Sequence, residues 1–230
     1  VDLDYFIAFM LENSHNYTMK LNILIILPIF LLFLFSGCSQ PDPIPIREES
    51  GEIDVLGDPV QELVDQEPMI KQIDDGQMTI KPVATYRLAG VVKSKKSYGS
   101  GWQGEAAPYD LAIVWGKLTL PEYDQYMSYR QSNRWYYYRY KAGFPDSRDY
   151  IVSHSANNHI LPANYNILEA IKLVEEDQKV LLEGYLVQIT TIYKGRDYWW
   201  NSSMSRTDSG DASCEVFYVE RVRIGNKVYE

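Results

Sequence analysis

The chain has 230 residues, 46% apolar and 23% charged, enough for one ordinary domain with a sizeable core plus extra segments. Its formal net charge of -9 is local: residues 40–82 hold 11 Asp and Glu against 3 Lys and Arg, whereas residues 83–230 hold 17 against 18. A nearly neutral body without a dense basic stripe does not suit phosphate-backbone binding, so a nucleic-acid partner is not expected.

Residues 19–40, MKLNILIILPIFLLFLFSGCSQ, carry one positive charge at Lys20 and then an apolar run from Leu21 to Phe35. That run is short of the roughly 20 apolar residues a membrane span needs and has the form of the hydrophobic region of an export signal. It ends in Phe35-Ser36-Gly37-Cys38, which resembles a bacterial lipobox, although that pattern prefers leucine where Phe35 stands. The resemblance implies cleavage before Cys38, diacylation of its sulfur and anchorage of the new N-terminus in a membrane. Each buried CH₂ contributes ~0.8 kcal/mol, and stable anchoring takes more than one chain. By the same resemblance, Ser39 after the cysteine favours the outer membrane of a two-membrane cell, with the protein facing the periplasm. Residues 1–18 are expected to be an over-extended start ahead of Met19, and residues 19–37 the signal peptide. With Cys38 lipidated, Cys214 has no intrachain partner and is expected to be a buried or reactive free thiol.

Residues 38–81 contain repeated prolines, no aromatic residue and the acidic excess, and are expected to form an extended tether. Ile53, Val55, Leu56, Leu63 and Val64 are the groups in it that could dock on the body. Residues 82–230 are expected to be a single folded domain, α+β and predominantly β, built as one compact sheet or barrel.

Within that domain, residues 83–92 alternate with period two and residues 110–118 are almost continuously apolar, both predicting strands. Pro121-Glu122 starts a short helix, and residues 134–140 (RWYYYRY) have strand composition, with Trp135 and Tyr137 on one face. Residues 153–164, SHSANNHILPAN, read as a polar loop. The one clear helix follows, with Ile167, Ala170, Ile171 and Val174 at helical spacing and Asn164 or Asn166 as its cap. Residues 179–193, 198–205 and 214–224 predict three strands, with turn residues at 208–211. These last three strands are similar to the first three of an OB-fold, a small partly open β-barrel.

Gly99, Gly101 and Gly104 spell G-x-G-x-x-G, but a strand rather than a helix follows, so the stretch reads as a glycine loop and no nucleotide cofactor is expected. His154 and His159 lack the neighbours of an established zinc or hydrolase motif, and no metal site is assigned. The five tryptophans and 17 of the 19 tyrosines lie in residues 83–230, many near arginines. Two functional expectations follow. In the first, a Tyr, Trp and Arg surface comprising Arg134, Trp135, Tyr137, Asn157, Asn158, Trp199, Trp200 and Arg206 binds peptidoglycan, another glycan or an envelope protein. In the second, His154 or His159 works with Ser203, Asp208 or Glu215 as an envelope hydrolase or small-ligand site. The second needs the histidine stretch and the hairpin after Asn201 to meet in one concave pocket.

The stretches RQSNRWYYY, HSANNHILPA and SSMSRTDSGDASCE together resemble a family of bacterial envelope proteins. That resemblance spans most of residues 83–222 and implies an envelope protein without implying a mechanism.

Overall fold

The computed structural model describes residues 41–208, 210 and 213–230. The expected start, signal segment and Cys38 lie outside the described residues. No helix among the described residues is long and apolar enough to cross a membrane.

The Pro43–Glu230 unit is mostly sheet, with the elements β1 (Arg47–Glu48), β2 (Val60–Leu63), β3 (Met69–Ile73), β4 (Gly76–Ser97), α1 (Gly101–Ala106), β5 (Tyr109–Val114), α2 (Pro121–Asp124), β6 (Met127–Ser132), β7 (Trp135–Tyr140), α3 (Arg148–Ser153), β8 (Ser155–Pro162), α4 (Tyr165–Leu173), β9 (Lys179–Tyr193), β10 (Arg196–Asn201), β11 (Glu215–Ile224) and β12 (Lys227–Tyr229). The alternation read over residues 83–92 belongs to a strand of 22 residues. Register shifts at Pro82/Ala84 and Val92/Ser94 bend β4. The first falls at a proline, which cannot donate to a ladder.

Five strands close a ring. β4 pairs antiparallel with β5, β5 with β8, β11 with β9 and β9 with β4, while β8 and β11 run parallel. Counted along the chain, the ring order is first, second, third, fifth, fourth, with α4 between the third and fourth strands. This is the connectivity of an OB-type Greek-key barrel. The OB likeness therefore holds on other strands than expected: β9 and β11 are the fourth and fifth barrel strands, and β10 is a hairpin arm outside the ring.

The barrel interior is apolar, with Leu88, Ile113, Ile160, Leu182 and Phe217 at most 1% exposed. Helix α4 packs on it through Ile167, Ala170 and Ile171. Of the two candidate caps, Asn164 accepts the N–H of Ile167 at 2.9 Å. Asn166 instead holds Ile44 and the carbonyl of Glu230. At the other helix end Lys95 Nζ donates to the carbonyls of Ile171, Lys172 and Val174, a cation placed where the helix leaves acceptors unpaired. β9 and β11 approach so closely at Gly184 that a Cβ there would lie 2.0 Å from the Tyr218 carbonyl oxygen, so the position has room only for glycine.

Two sequence expectations need correction. The tether does not extend to residue 81. β1 pairs with β12, β2 and β3 pair with β4, and Ile53 and Val55 are buried against Val91, Leu118 and Ile151. Few apolar groups are needed here, because the exposed edges of β4 and β12 satisfy the backbone of an acidic, proline-containing segment. Leu56 and Leu63 stay exposed, and Val64 docks through its N–H on the Val83 carbonyl. The histidine stretch is a strand, β8, rather than a loop. Its polar side chains have partners elsewhere in the fold, so the residues need not turn to satisfy their own backbone.

Smaller differences follow from left-handed residues. β5 stops at Val114 ahead of Gly116 (φ 62°). The expected helix at residue 121 ends at Asp124, and β6 and β7 form a hairpin through Asn133 and Arg134, at φ 52° and 69°. Positive φ at both central residues is the hairpin-compatible turn, in which glycine is common at the second position.

Candidate functional site

Arg134 occupies that second position, and its surroundings explain the exception. Its Nη1 donates to Asp110 Oδ1 (2.7 Å) and to the Ala107 carbonyl (2.8 Å), and its Nη2 to the Gln103 carbonyl (2.9 Å). The guanidinium lies 3.8 Å from the Tyr98 ring centroid and 5.5 Å from that of Trp200. The backbone N–H of Arg134 donates to the Tyr98 hydroxyl, whose own ionisation burial pushes upward.

Asp110 heads β5, points outward from the barrel and is fully buried. The same Oδ1 that receives Arg134 lies 2.8 Å from Nδ1 of His159 on the neighbouring strand β8. Asp110 Oδ2 has no partner among the described residues. The His159 ring rests 4.5 Å from the Trp200 ring. Two residues earlier on the same face, Asn157 donates to the Arg134 carbonyl and toward Cys214 Sγ (3.7 Å), and accepts from Gln131 Nε2. The strand register places Asn158 opposite Glu215 on β11, which brings the segment after Asn201 beside β8.

Two adjoining clefts open over this network and share Trp135, Gly210 and Cys214 in their walls. The first, of about 460 Å³, has Arg134, His159 and Trp200 in its lining, with Trp135 (42% exposed) and Trp199 (72% exposed). The second, of about 290 Å³, is lined by Tyr136, Tyr137, Arg148, Asn157 and Arg206. Cleft lining thus comes from the β6–β7 hairpin inserted between β5 and β8 (Asn133, Arg134, Trp135), from β8, and from the connections after β4 (Gln103) and between β9 and β11. Among OB barrels, the outer face of the second and third strands with these two connections is the usual ligand site.

The histidine stretch and the hairpin therefore meet, but through His159 and Asn157 rather than His154. His154 stacks on Tyr150 with centroids 3.8 Å apart, and its Nε2 lies 3.6 Å from Asp58 Oδ1. It stands at the end of α3, just before β8 and five residues from His159, ~16 Å at strand rise. Ser203, 5% exposed, donates to Asp208 Oδ2 (2.7 Å) and the Ser205 carbonyl, and no hydrogen bond joins it to a histidine among the described residues. The hydroxyl and Asp208 hold the loop rather than forming a nucleophile with a base.

Asn158 and Glu215 share the parity of Ile160 and Phe217 and point into the barrel. Asn158 Oδ1, Glu215 Oε2, the Tyr86 hydroxyl and Arg206 Nε have no hydrogen-bond partner among the described residues. Burial, with Asp208 nearby, pushes the Glu215 carboxyl up to about 8, and burial likewise pushes Cys214 up to about 12. The thiol is thus held neutral. Arg206 Nη2 reaches the Pro59 carbonyl, so the segment before β2 helps to close this end of the barrel. No group of three or more potential metal ligands occurs among the described residues.

Sequence reasoning missed Asp110, Gln131, Gln103 and Tyr98. For Asp110 a signal existed: it is a carboxylate at the head of a run otherwise as apolar as a two-sided buried strand. No family model, curated protein or solved structure matches the chain.

Proposed function

We propose that the chain is an envelope lipoprotein, acylated at Cys38 and facing the periplasm, whose barrel domain binds a glycan in the Trp135–Trp199 cleft. The observation that carries this reading is the pairing of two exposed tryptophans with a fixed polar floor in one open cleft at the ligand-binding position of OB barrels. Indole faces suit the apolar faces of sugar rings, and Asn133, Asn201 and Gln103 supply donors and acceptors for hydroxyls. Nucleic acid fits less well, because Arg134 is already neutralised by Asp110 and the body lacks excess positive charge.

Retention of the full chain on purified peptidoglycan tests this. Trp135→Ala and Trp199→Ala are expected each to lower retention about tenfold, the effect of losing one well-placed aromatic anchor. Equal retention of both variants and the parent would overturn the cleft reading. Separately, Cys38→Ala is expected to move the protein from the membrane to the soluble fraction. Its unchanged sedimentation with membranes would remove the anchor from the proposal.

A further inference from the structure

Beyond the barrel ring, β3, β4, β9 and β10 form a four-stranded sheet. One side packs Met78, Ile80, Ile189 and Trp200 toward the body. The other side is open, and the register aligns it in rows. Ile70 lies opposite Thr79, Thr79 opposite Thr190, and Thr190 opposite Trp199. The row beside it brings Gln188 opposite Asn201. A trough of about 460 Å³ runs over the β4, β9 and β10 part of this surface, between Gln77, Thr79, Thr190, Ile192 and Trp199, and Trp199 stands in both its wall and that of the cleft.

We propose that this sheet face is a second subsite for the same ligand, so that the domain takes an extended, uncharged polyhydroxyl chain rather than a single terminal sugar. The inference rests on the cleft reading above. Three features select the occupant. Trp199 is 72% exposed and Ile192 59%, a large apolar surface for a folded domain to leave open, yet Thr79, Thr190 and Gln77 stand beside them in the same trough. That mixture matches a sugar chain, with its apolar faces and hydroxyl edges, better than an apolar protein surface. Charge points the same way: the charged residue in the trough wall is Asp197, and its lining has no arginine or lysine for phosphate or carboxylate groups. Finally, the trough crosses two strand spacings from Thr79 to Trp199, ~10 Å, and continues at Trp199 into the cleft.

Calorimetric titration of the full chain in detergent with chitin-type oligosaccharides tests the inference. The hexasaccharide is expected to bind at least about tenfold tighter than the disaccharide, the gain of one further set of contacts. Thr190→Ala with Gln77→Ala, both at exposed strand positions in the trough wall, is expected to abolish that advantage and leave disaccharide affinity and the melting temperature unchanged. Equal affinity for both lengths, or a length advantage that survives the double substitution, would overturn the second subsite and leave the cleft intact. Absence of binding at either length would overturn the cleft and the subsite together.

Discussion

Arg134→Ala is expected to lower unfolding stability by roughly 3–5 kcal/mol, the cost of leaving one member of a buried ion pair alone. Asp110 is fully buried, one of its oxygens already lacks a protein partner, and Arg134 is 16% exposed, so water cannot replace the guanidinium cheaply. The same side chain also holds the carbonyls of Ala107 and Gln103, so the loss spreads to the segment containing α1. Part of the effect is separable. Because Arg134 sits at φ 69°, Arg134→Gly relieves a left-handed strain that Arg134→Ala retains, and the glycine variant is expected to be about 1 kcal/mol the more stable of the two. Urea midpoints at constant slope measure both differences. A double substitution of Arg134 and Asp110 that costs the full sum of the singles would show the two to be uncoupled and this account of the cleft floor to be wrong.

Glu215→Gln is expected to make the protein more stable at alkaline pH and to flatten its pH profile. The Glu215 carboxyl titrates near 4.5 when unperturbed and near 8 in the fold, because burial disfavours the charged form. Between those values the folded protein keeps a proton that the unfolded chain has released, so raising the pH favours unfolding. Stability therefore falls from about pH 4.5 to about pH 8 and then levels off, while the contribution is absent below the lower value. Glutamine carries no ionisable proton and nearly the same shape, so it removes this slope. At pH 8.5 the variant is expected to gain roughly 2–4 kcal/mol over the parent, and near pH 4 almost nothing. Parallel pH profiles for parent and variant would contradict the assignment. Asp208 and Arg206, with opposite effects on the same carboxyl, also face this end of the barrel, and Tyr86 shares its burial.

What could be read from the sequence was local. β9 was legible end to end because residues 179–193 are rich in β-branched, aromatic and aliphatic side chains, and α4 because its apolar residues repeat at helical spacing. β8 was not, since Asn157, Asn158 and His159 are ordinary turn residues until Gln131, Asp110 and Leu111 are brought to them by pairing across more than twenty residues of chain. The barrel order was hidden for the same reason: β9 looks like the beginning of a barrel only while its partner β4, a hundred residues earlier, is left out. Of the candidate residues, Arg134, Trp135, Tyr137, Asn157, His159, Trp199, Trp200, Arg206 and Asp208 share the two clefts. His154 is separated by strand direction, while Asn158 and Glu215 are turned inward by parity, and neither property can be assigned before the strand itself is known.

The two-residue strand β1 lies beside β12 near the end of the chain, and just after it Arg223 grips the carbonyls of Glu49 and Gly51. A pull along the backbone from before Pro43 would meet first the Asn166 side chain that holds Ile44, then the short β1–β12 ladder, and then the Arg223 guanidinium. Arg223 stands on β11, a strand of the ring, so these three small attachments in series pass load to the barrel wall and must part in turn before the buried Ile53 and Val55 are pulled.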